Sequence, residues 1–475
     1  MDKNNDESAG DFLPAKCTGR TNQGVTVTGK LVRLGRFQAV FEIAGPYSFL
    51  RTSEVLGEFK IEIDGKALYK GQAVIVGLVD TGIVALCEVS LPETGVDVAL
   101  LDAALKGART GLFPEFLKRW QNAYRVSPEF KLITSDIHTF LLDFREWSDR
   151  FELGGQQAGF ETRSSTATAE ALSEDFVSAF NELHEKFEAI SYEVPAEQRA
   201  AHRNFARRLI QAPFMCSPFG YRACAKPLGY AGDYEMVNMI MRNPFEGETT
   251  FGKLMNFWLL KQYPSVAHRN RIVYLKESLV AECTRAARSK KQAKILNLGC
   301  GPAQEIAEFM QESALSDYAD FLLLDFNDQT ISDTGNLLEA RRRQSGRRTK
   351  LTLEKKSVFS FLKDAARADP VGPTYDLVYC AGLFDYLPDG TCRQLMNEFY
   401  RLLSPGGLML ATNVDDCKPF RNMLEFALDW YLIYRDRAGM ERVMPTVAPR
   451  SEFCFKTDAT AVNIFAEVRK SDRGA

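Results

Sequence analysis

The segment Ile295-Leu296-Asn297-Leu298-Gly299-Cys300-Gly301-Pro302-Ala303-Gln304-Glu305-Ile306 constrains this chain more than any other. A short apolar run leads into two glycines and then into a helix start. Glycine at 299 and 301 lets the backbone bend sharply and lets a ligand approach without a Cβ in the way. The helix that follows offers unpaired N–H groups and a positive dipole end to an anionic group. A dinucleotide site would place a third Gly or Ala at 304. Gln304 stands there instead, which argues against NAD or FAD. No Gly-Lys-Ser/Thr follows, so the turn is not a Walker phosphate loop.

From Ala293 onward short strand-like runs alternate with helical segments. After Lys294 to Leu298 come Phe321 to Leu324, Leu351 to Leu353, Asp376 to Cys380 and Leu408 to Thr412. Such alternation predicts βαβ units and a parallel sheet. Glu452 to Lys456 and Ala461 to Val468 flank a Thr457-Asp458 turn and predict a closing antiparallel hairpin at one sheet edge. The second strand ends in Asp325, where a carboxylate can accept both hydroxyls of a ribose.

The amino-terminal part reads differently. Residues 1–14 are expected to form a disordered tail. Between residues 15 and 92, short runs rich in β-branched and aromatic residues are separated by turn signals at Asn22-Gln23-Gly24, Gly35, Gly45-Pro46 and Asp64-Gly65. They predict a small antiparallel barrel. Residues 97–152 have a helical period, residues 153–170 read as a Gly/Gln/Ser/Thr linker, and residues 171–290 as a helical cap carrying a lid loop. Phe176, Phe180, Leu183, Phe187 and Ile190 mark one amphipathic helix. A second is expected from about Ala196 to Ile210. Residues 291–475 form the α/β domain.

Composition excludes several classes. Of 475 residues, 45% are hydrophobic and 25% charged, as in a globular protein. Lys plus Arg number 59 and Asp plus Glu 62, for a net charge of −3, which argues against a whole-chain nucleic-acid binder. Arg341-Arg342-Arg343 with Arg347, Arg348 and Lys350 is read as a solvated helix end. No apolar run is long enough to span a bilayer, and the polar, acidic Met1 to Gly10 does not read as a secretory signal. The ten cysteines include no Cys-x-x-Cys pair and the histidines number four, so no metal site is expected. Reduced thiols point to the cytoplasm.

The ordered motifs resemble those of class I S-adenosylmethionine-dependent methyltransferases. Asn297 to Ala303 looks like their first motif, with two departures: Asn297 replaces the usual acidic residue and Ala303 the third glycine. Asp325 matches the acidic residue after strand two, and Ser357-Val358-Phe359 the region flanking the adenine. Tyr375 to Cys380 and Leu402 to Gly407 resemble the fourth and fifth strand motifs. The resemblance implies a Rossmann-like methyltransferase sheet with its closing hairpin and S-adenosylmethionine as cofactor. It also implies cofactor contacts at Asn297, Gly299, Gly301, Ala303, Asp325, Ser357 and Val358.

From about Phe205 to Lys470 the chain also resembles a bacterial methyltransferase subfamily described as extracellular factor (hydroxy-fatty-acid methyl ester) biosynthesis proteins. Lys226 to Met236, Arg269-Asn270-Arg271 and Asp429 to Arg435 carry that likeness. It implies methyl ester formation on a small acidic acceptor.

Residues around the cofactor turn suggest further roles. Gly229-Tyr230-Ala231-Gly232-Asp233-Tyr234 is built as a loop that could fold over a site and exclude water, or as a buried turn on the sheet edge. Tyr230, Asp385 and Tyr386 are the catalytic candidates, Asp385 either orienting a nucleophile or capping a turn. Asp233, Tyr234, Trp430, Tyr434 and Arg435 are the substrate-binding candidates. Trp430, Tyr434 and Arg435 either build an apolar wall with one cation for an acidic head or are simply core with a surface Arg.

The barrel resembles PilZ domains at Arg33-Leu34-Gly35-Arg36 and Ala39 to Ile43. The paired-arginine arm and the Asp/Asn-x-Ser-x-x-Gly box of those domains are missing. Cyclic di-GMP needs arginine forks, so the barrel is expected to act as a docking or dimer element without nucleotide. The leading expectation is a methyltransferase acting on a small molecule, without nucleic acid and without stable membrane insertion. Its rival is a regulatory protein whose methyltransferase-like domain senses the cofactor while the barrel senses a second messenger.

Overall fold

Strict alternation builds the amino-terminal unit. In the computed structural model, which describes residues 15–21, 26–35, 37–43, 50, 55–63, 66–80, 85–91, 126–157, 165–365, 374–415 and 419–471, six strands form a closed barrel. They are β1 (Ala15–Arg20), β2 (Thr26–Leu34), β3 (Gln38–Ile43), β4 (Val55–Ile63), β5 (Lys66–Asp80) and β6 (Ala85–Ser90). The order is β1-β2-β3-β6-β5-β4, with β4 pairing back on β1. Every second residue of β3 points inward, so Ala39, Phe41 and Ile43 are buried. Phe41, Phe59, Ile61, Ile75, Cys87 and Val89 fill the barrel. The longest strand, β5, runs unbroken for 15 residues. The tail, the three turn signals other than Gly35, and residues 97–125 of the expected helical segment lie outside the described residues.

In the second compact unit, Ser127–Pro195 with His202–Ala475, helices come first. They are α1 (Pro128–Gln157), α2 (Ser165–Tyr192), α3 (Arg199–Phe214, in this unit from His202), α4 (Pro218–Ala225), α5 (Tyr234–Met241), α6 (Thr250–Lys261) and α7 (Tyr263–Arg288). Phe176, Phe180 and Phe187 form the buried stripe of α2, and Phe180 packs on Trp258 of α6 with ring centroids 4.4 Å apart. The stretch read as a linker is shorter than expected. Helix α1 continues through Gly154 and Gly155, and α2 already begins at Ser165. Glycine weakens a helix near its end by only about 1 kcal/mol, which packing elsewhere along α1 offsets.

The α/β part is a seven-stranded sheet. Its strands are β7 (Ala293–Leu298), β8 (Ala319–Asp325), β9 (Lys350–Lys355), β10 (Tyr375–Cys380), β11 (Leu403–Val414), β12 (Phe453–Thr457) and β13 (Asn463–Arg469). The order is β12-β13-β11-β10-β7-β8-β9. The pairs among β7 to β11 are parallel, while β13 runs antiparallel to β11 and to β12. This is a Rossmann-like sheet closed by the expected hairpin, the arrangement that the methyltransferase resemblance implies. Intervening helices are α8 (Gln304–Glu312), α9 (Asp328–Gln344), α10 (Val358–Ala365) and α11 (Asp389–Leu402), followed by the short α12 (Arg421–Phe426) and α13 (Arg437–Val443).

Period-two strands place Ile295, Phe321, Leu377 and Tyr379 in one core layer and Leu296, Leu298, Val378 and Cys380 in the other. The chain winds outward from β7 to β9, then returns to lay β10 against β7. A crevice opens at such a reversal, at the carboxyl ends of the strands. No helix among the described residues is long and apolar enough to cross a membrane. The nine described cysteines are free thiols, and Cys417 lies outside the described residues.

Candidate active site

The turn after β7 has the backbone that its glycines allow. Gly299 and Gly301 have φ of 73° and 50°. A Cβ on Gly301 would meet nothing within 4 Å, so the space above it is open to a ligand. A Cβ on Gly299 would lie 3.3 Å from Leu383, so that glycine serves close packing. Helix α9 holds the turn from below: the Thr334 hydroxyl donates to the Gly301 carbonyl at 2.7 Å.

Ala303 caps α8 in a left-handed conformation, with no side chain on the first N–H groups. The N–H groups at the start of α8 therefore face the crevice with the helix's positive end. Asn297, at the end of β7, is 2% exposed, and its Oδ1 has no hydrogen-bond partner. A buried acceptor without a donor is costly, and a cofactor's ammonium or hydroxyl would satisfy it.

Asp325 closes the other side. Its Oδ2 accepts the Gly301 N–H at 3.1 Å and its Oδ1 the Asn327 N–H at 3.1 Å. Burial pushes its carboxyl above the usual carboxylate range, and those N–H groups pull it back in part. The Lys356 N–H donates to the Asp325 carbonyl at 2.7 Å, which sets the β9–α10 turn beside the end of β8. There the Ser357 hydroxyl caps α10 by accepting the Ser360 N–H, and Val358 packs against the second core layer. These residues fit an adenosyl group carrying an amino-acid end. Asp325 offers acceptor oxygens for a ribose, and the open floor at Gly301 adjoins the free N–H groups of α8.

The loop before α5 reaches this crevice. The Tyr230 ring lies 5.1 Å from that of Phe326, the residue after Asp325. Burial and the nearby Asp325 and Asp233 carboxylates push the Tyr230 phenol up. Gly232 sits against Trp430, where a Cβ would come within 2.8 Å, and against the Tyr386 hydroxyl. Trp430 in turn donates its indole N–H to Tyr386 at 2.9 Å. Tyr230, Tyr386 and Trp430 are thus brought together.

Other expected site residues are structural. Asp233 is the cap of α5, accepting the Glu235 and Met236 N–H groups, and Arg222 grips both its oxygens at 2.8 and 2.9 Å. Tyr234 donates to Asp333 of α9 at 2.5 Å, tying the loop to the sheet's helix layer. Tyr434 carries the Arg421 guanidinium on its ring at 4.5 Å.

Arg435 requires a correction. It is 3% exposed, and all five of its N–H donors are engaged. Nε and one Nη2 proton go to Asp389, the other Nη2 proton to the Leu387 carbonyl, and Nη1 to the Phe384 carbonyl and Asn413. None remains for a substrate. Asp385, in the 3-10 turn Phe384–Tyr386, accepts the Val414 N–H at 2.7 Å, and its carbonyl accepts the Ile433 N–H. It joins the ends of β10 and β11. Burial pushes its carboxyl up, opposed by Val414 and the nearby Arg271 and Arg435.

Arg271 was not among the expected site residues. It projects from α7 onto Gly382, whose Cβ would lie 3.0 Å from both Nη atoms. Gly382 has φ of 82° and its N–H donates to Thr412. The only earlier pointer to this position was the Arg269-Asn270-Arg271 motif. Its neighbour Glu305 on α8 accepts the Tyr379 hydroxyl at 2.8 Å, and burial pushes that carboxyl up.

Residues 296–409 match the family model described as a methyltransferase domain. No curated protein matches the chain by sequence. Among solved structures, a possible exported protein from Bordetella parapertussis is 14% identical with a TM-score of 0.42, covering 66% of this chain and 99% of that one. Magnesium protoporphyrin IX methyltransferase from Synechocystis PCC 6803, with bound S-adenosylhomocysteine, is 11% identical with a TM-score of 0.34, covering 57% and 99%. The N-methyltransferase NodS from Bradyrhizobium japonicum WM9 is 13% identical with a TM-score of 0.29, covering 50% and 97%.

Proposed function

From the premise that residues 296–409 are a methyltransferase domain taking S-adenosylmethionine, we propose that the chain methylates a small acidic acceptor, a fatty or hydroxy-fatty carboxylate. The observation that carries the cofactor reading is the Gly301–Asp325 junction, an open glycine floor hydrogen-bonded to a buried carboxylate. Asn297 Oδ1 and the α8 N–H groups would hold the amino-acid end, Asp325 the ribose, and Ser357 and Val358 would flank the adenine. When bound, the cofactor supplies a sulfonium methyl that a carboxylate oxygen can take in an in-line displacement, giving a methyl ester and a neutral thioether with no proton to remove.

The residues around the crevice favour an acceptor that is already ionised. Burial pushes the Tyr230 and Tyr386 phenols up, and it pushes the His268 imidazole well below its ordinary value. None of these three is matched to general-base work near neutral pH, the raised Asp385 and Glu305 carboxyls are already engaged by the Val414 N–H and the Tyr379 hydroxyl, and a carboxylate acceptor needs no such base. Tyr230, Tyr386 and Trp430 would instead exclude water over the acceptor, so that positioning and desolvation carry the rate.

We read the barrel as PilZ-like, a docking or dimer element without nucleotide. Arg33, in the region of that resemblance, is engaged by Glu88 across the barrel wall at 3.3 Å. The basic run supports an acceptor other than nucleic acid, since Arg342 and Arg343 both turn onto Glu339 of their own helix.

The test is a panel assay with methyl-labelled cofactor against free fatty acids, phenols, amines and peptides. Label in fatty acid methyl esters supports the reading. Label in amines or phenols but in no carboxylic acid refutes the acceptor, and the absence of any adenosyl-ligand binding refutes the cofactor.

A further inference from the structure

Two arginines lie beside the Asp385 turn, Arg435 buried and Arg271 half-buried, and they differ in how their donors are used. Arg435 has every donor engaged. Arg271 has one partner among the described residues, the His268 ring, with Nη2 at 2.7 Å from Nδ1. No carboxylate among the described residues stands within ion-pair distance of it. The nearest acids are already held by others: Glu305 by Tyr379 and Asp385 by the Val414 N–H. A guanidinium carries five donors in a planar fork, and leaving it without an anion in a cleft is costly. Its seat on Gly382 holds the planar fork at the carboxyl end of β10, within electrostatic reach of Glu305 on α8 and of the Asp385–Tyr386 turn. Any side chain at 382 would displace it.

We infer that Arg271, seated on Gly382 and oriented by His268, is the carboxylate receptor of this crevice. A carboxylate matches the fork bidentately and replaces the missing counter-ion. Burial, with Arg271 and Arg269 beside it, drives the His268 imidazole well below its ordinary value, which keeps it neutral and able to accept. This inference rests on the methyltransferase reading and sharpens it, because the carboxylate has two sources within that chemistry: the amino-acid end of the cofactor, or the acceptor.

The experiment separates the sources. Full-length protein and its Arg271→Gln and Arg271→Lys variants are titrated calorimetrically with S-adenosylhomocysteine and with 5′-methylthioadenosine, which lacks the amino-acid end. Decanoate is then titrated into the S-adenosylhomocysteine complex. Loss of S-adenosylhomocysteine affinity by about 10- to 100-fold in Arg271→Gln, with methylthioadenosine unchanged, places the cofactor's carboxylate on the fork. Unchanged nucleoside binding with a similar loss of decanoate binding places the acceptor's there. Arg271→Lys should fall between the two, since it keeps the charge and loses the fork.

Retained methylthioadenosine binding reports an intact site. If both variants lose it, Arg271 is a scaffold residue and the inference is overturned. It is also overturned if S-adenosylhomocysteine binds all three proteins alike and no Arg271-dependent decanoate binding is found. Wild-type protein that binds neither nucleoside instead brings down the methyltransferase reading, and this inference with it.

Discussion

The indole of Trp430 and the phenol of Tyr386 are joined by one hydrogen bond of 2.9 Å, and Gly232 of the preceding loop rests on both. Gly232 has φ of 72°, which only glycine adopts freely. Gly232→Ala would meet the Trp430 ring and strain the backbone by about 1–2 kcal/mol. The loop should lift from the crevice while Asp233 still caps α5. Stopped-flow binding of S-adenosylhomocysteine should show faster dissociation, by roughly tenfold for each 1.4 kcal/mol lost, with little change in melting temperature. An unchanged dissociation rate would show that the loop does not cover the ligand.

Gly301→Arg should abolish S-adenosylhomocysteine binding in calorimetry. The side chain enters the open space over the turn, which holds no protein atom within 4 Å. The fold itself should lose only about 1–2 kcal/mol, from the left-handed backbone. Binding at wild-type affinity would remove Gly301 from the site.

Asp325 yields a pH prediction. Its carboxyl is held above the ordinary carboxylate range by burial, so in the free protein the ionised form is the costly one. As pH falls through the raised value, the free protein is relieved of that cost while the ribose acceptor is lost. Affinity for S-adenosylhomocysteine should therefore fall on acidification through that window. Asp325→Asn should bind about 10- to 100-fold more weakly at neutral pH, with a flatter pH profile. Parallel profiles for the two proteins would assign the titration elsewhere.

Arg435→Ala should damage the fold and not one substrate's affinity. It strands Asn413, two backbone carbonyls and the half-exposed Asp389 carboxylate, a loss of about 3 kcal/mol. Chemical denaturation should show it. A variant of unchanged stability with a selective defect in acceptor binding would restore Arg435 to the substrate site.

Equilibrium dialysis with cyclic di-GMP at micromolar concentration should give no signal, because the barrel lacks the paired-arginine arm. Retention of the dinucleotide would show that the barrel reads nucleotide by another arrangement.

The glycine turn, the strand order and the closing hairpin were legible because each is written in local chemistry. Gly299 and Gly301 declare positive φ, and Asp376 to Cys380 declares a buried strand. Arg435 misled because a residue letter shows a charge without its partners, and the four residues that engage its five donors arrive by tertiary packing. Arg271 was hidden for the same reason. Its helix lies before the sheet domain in sequence, and only the fold carries it to Gly382. The linker was overestimated because Gly154 and Gly155 sit at the end of a long helix, where glycine is tolerated. Asp233 and Tyr234 lie in the expected loop, but they anchor it and Tyr230 faces the crevice, a division that composition does not reveal.

Closure of the six-stranded barrel, with β4 returning to β1, leaves no strand in it with an open hydrogen-bonding edge. Partners cannot be recruited there by extending the sheet, so the wall is immune to the edge-to-edge aggregation that open sheets must guard against. Whatever this barrel recognises must be read by side chains on its outer face or by the turns between its strands. Those positions can change freely without disturbing the filled interior of Phe41, Phe59 and Ile75. Binding specificity at this end of the chain can therefore diverge while the barrel that carries it stays the same.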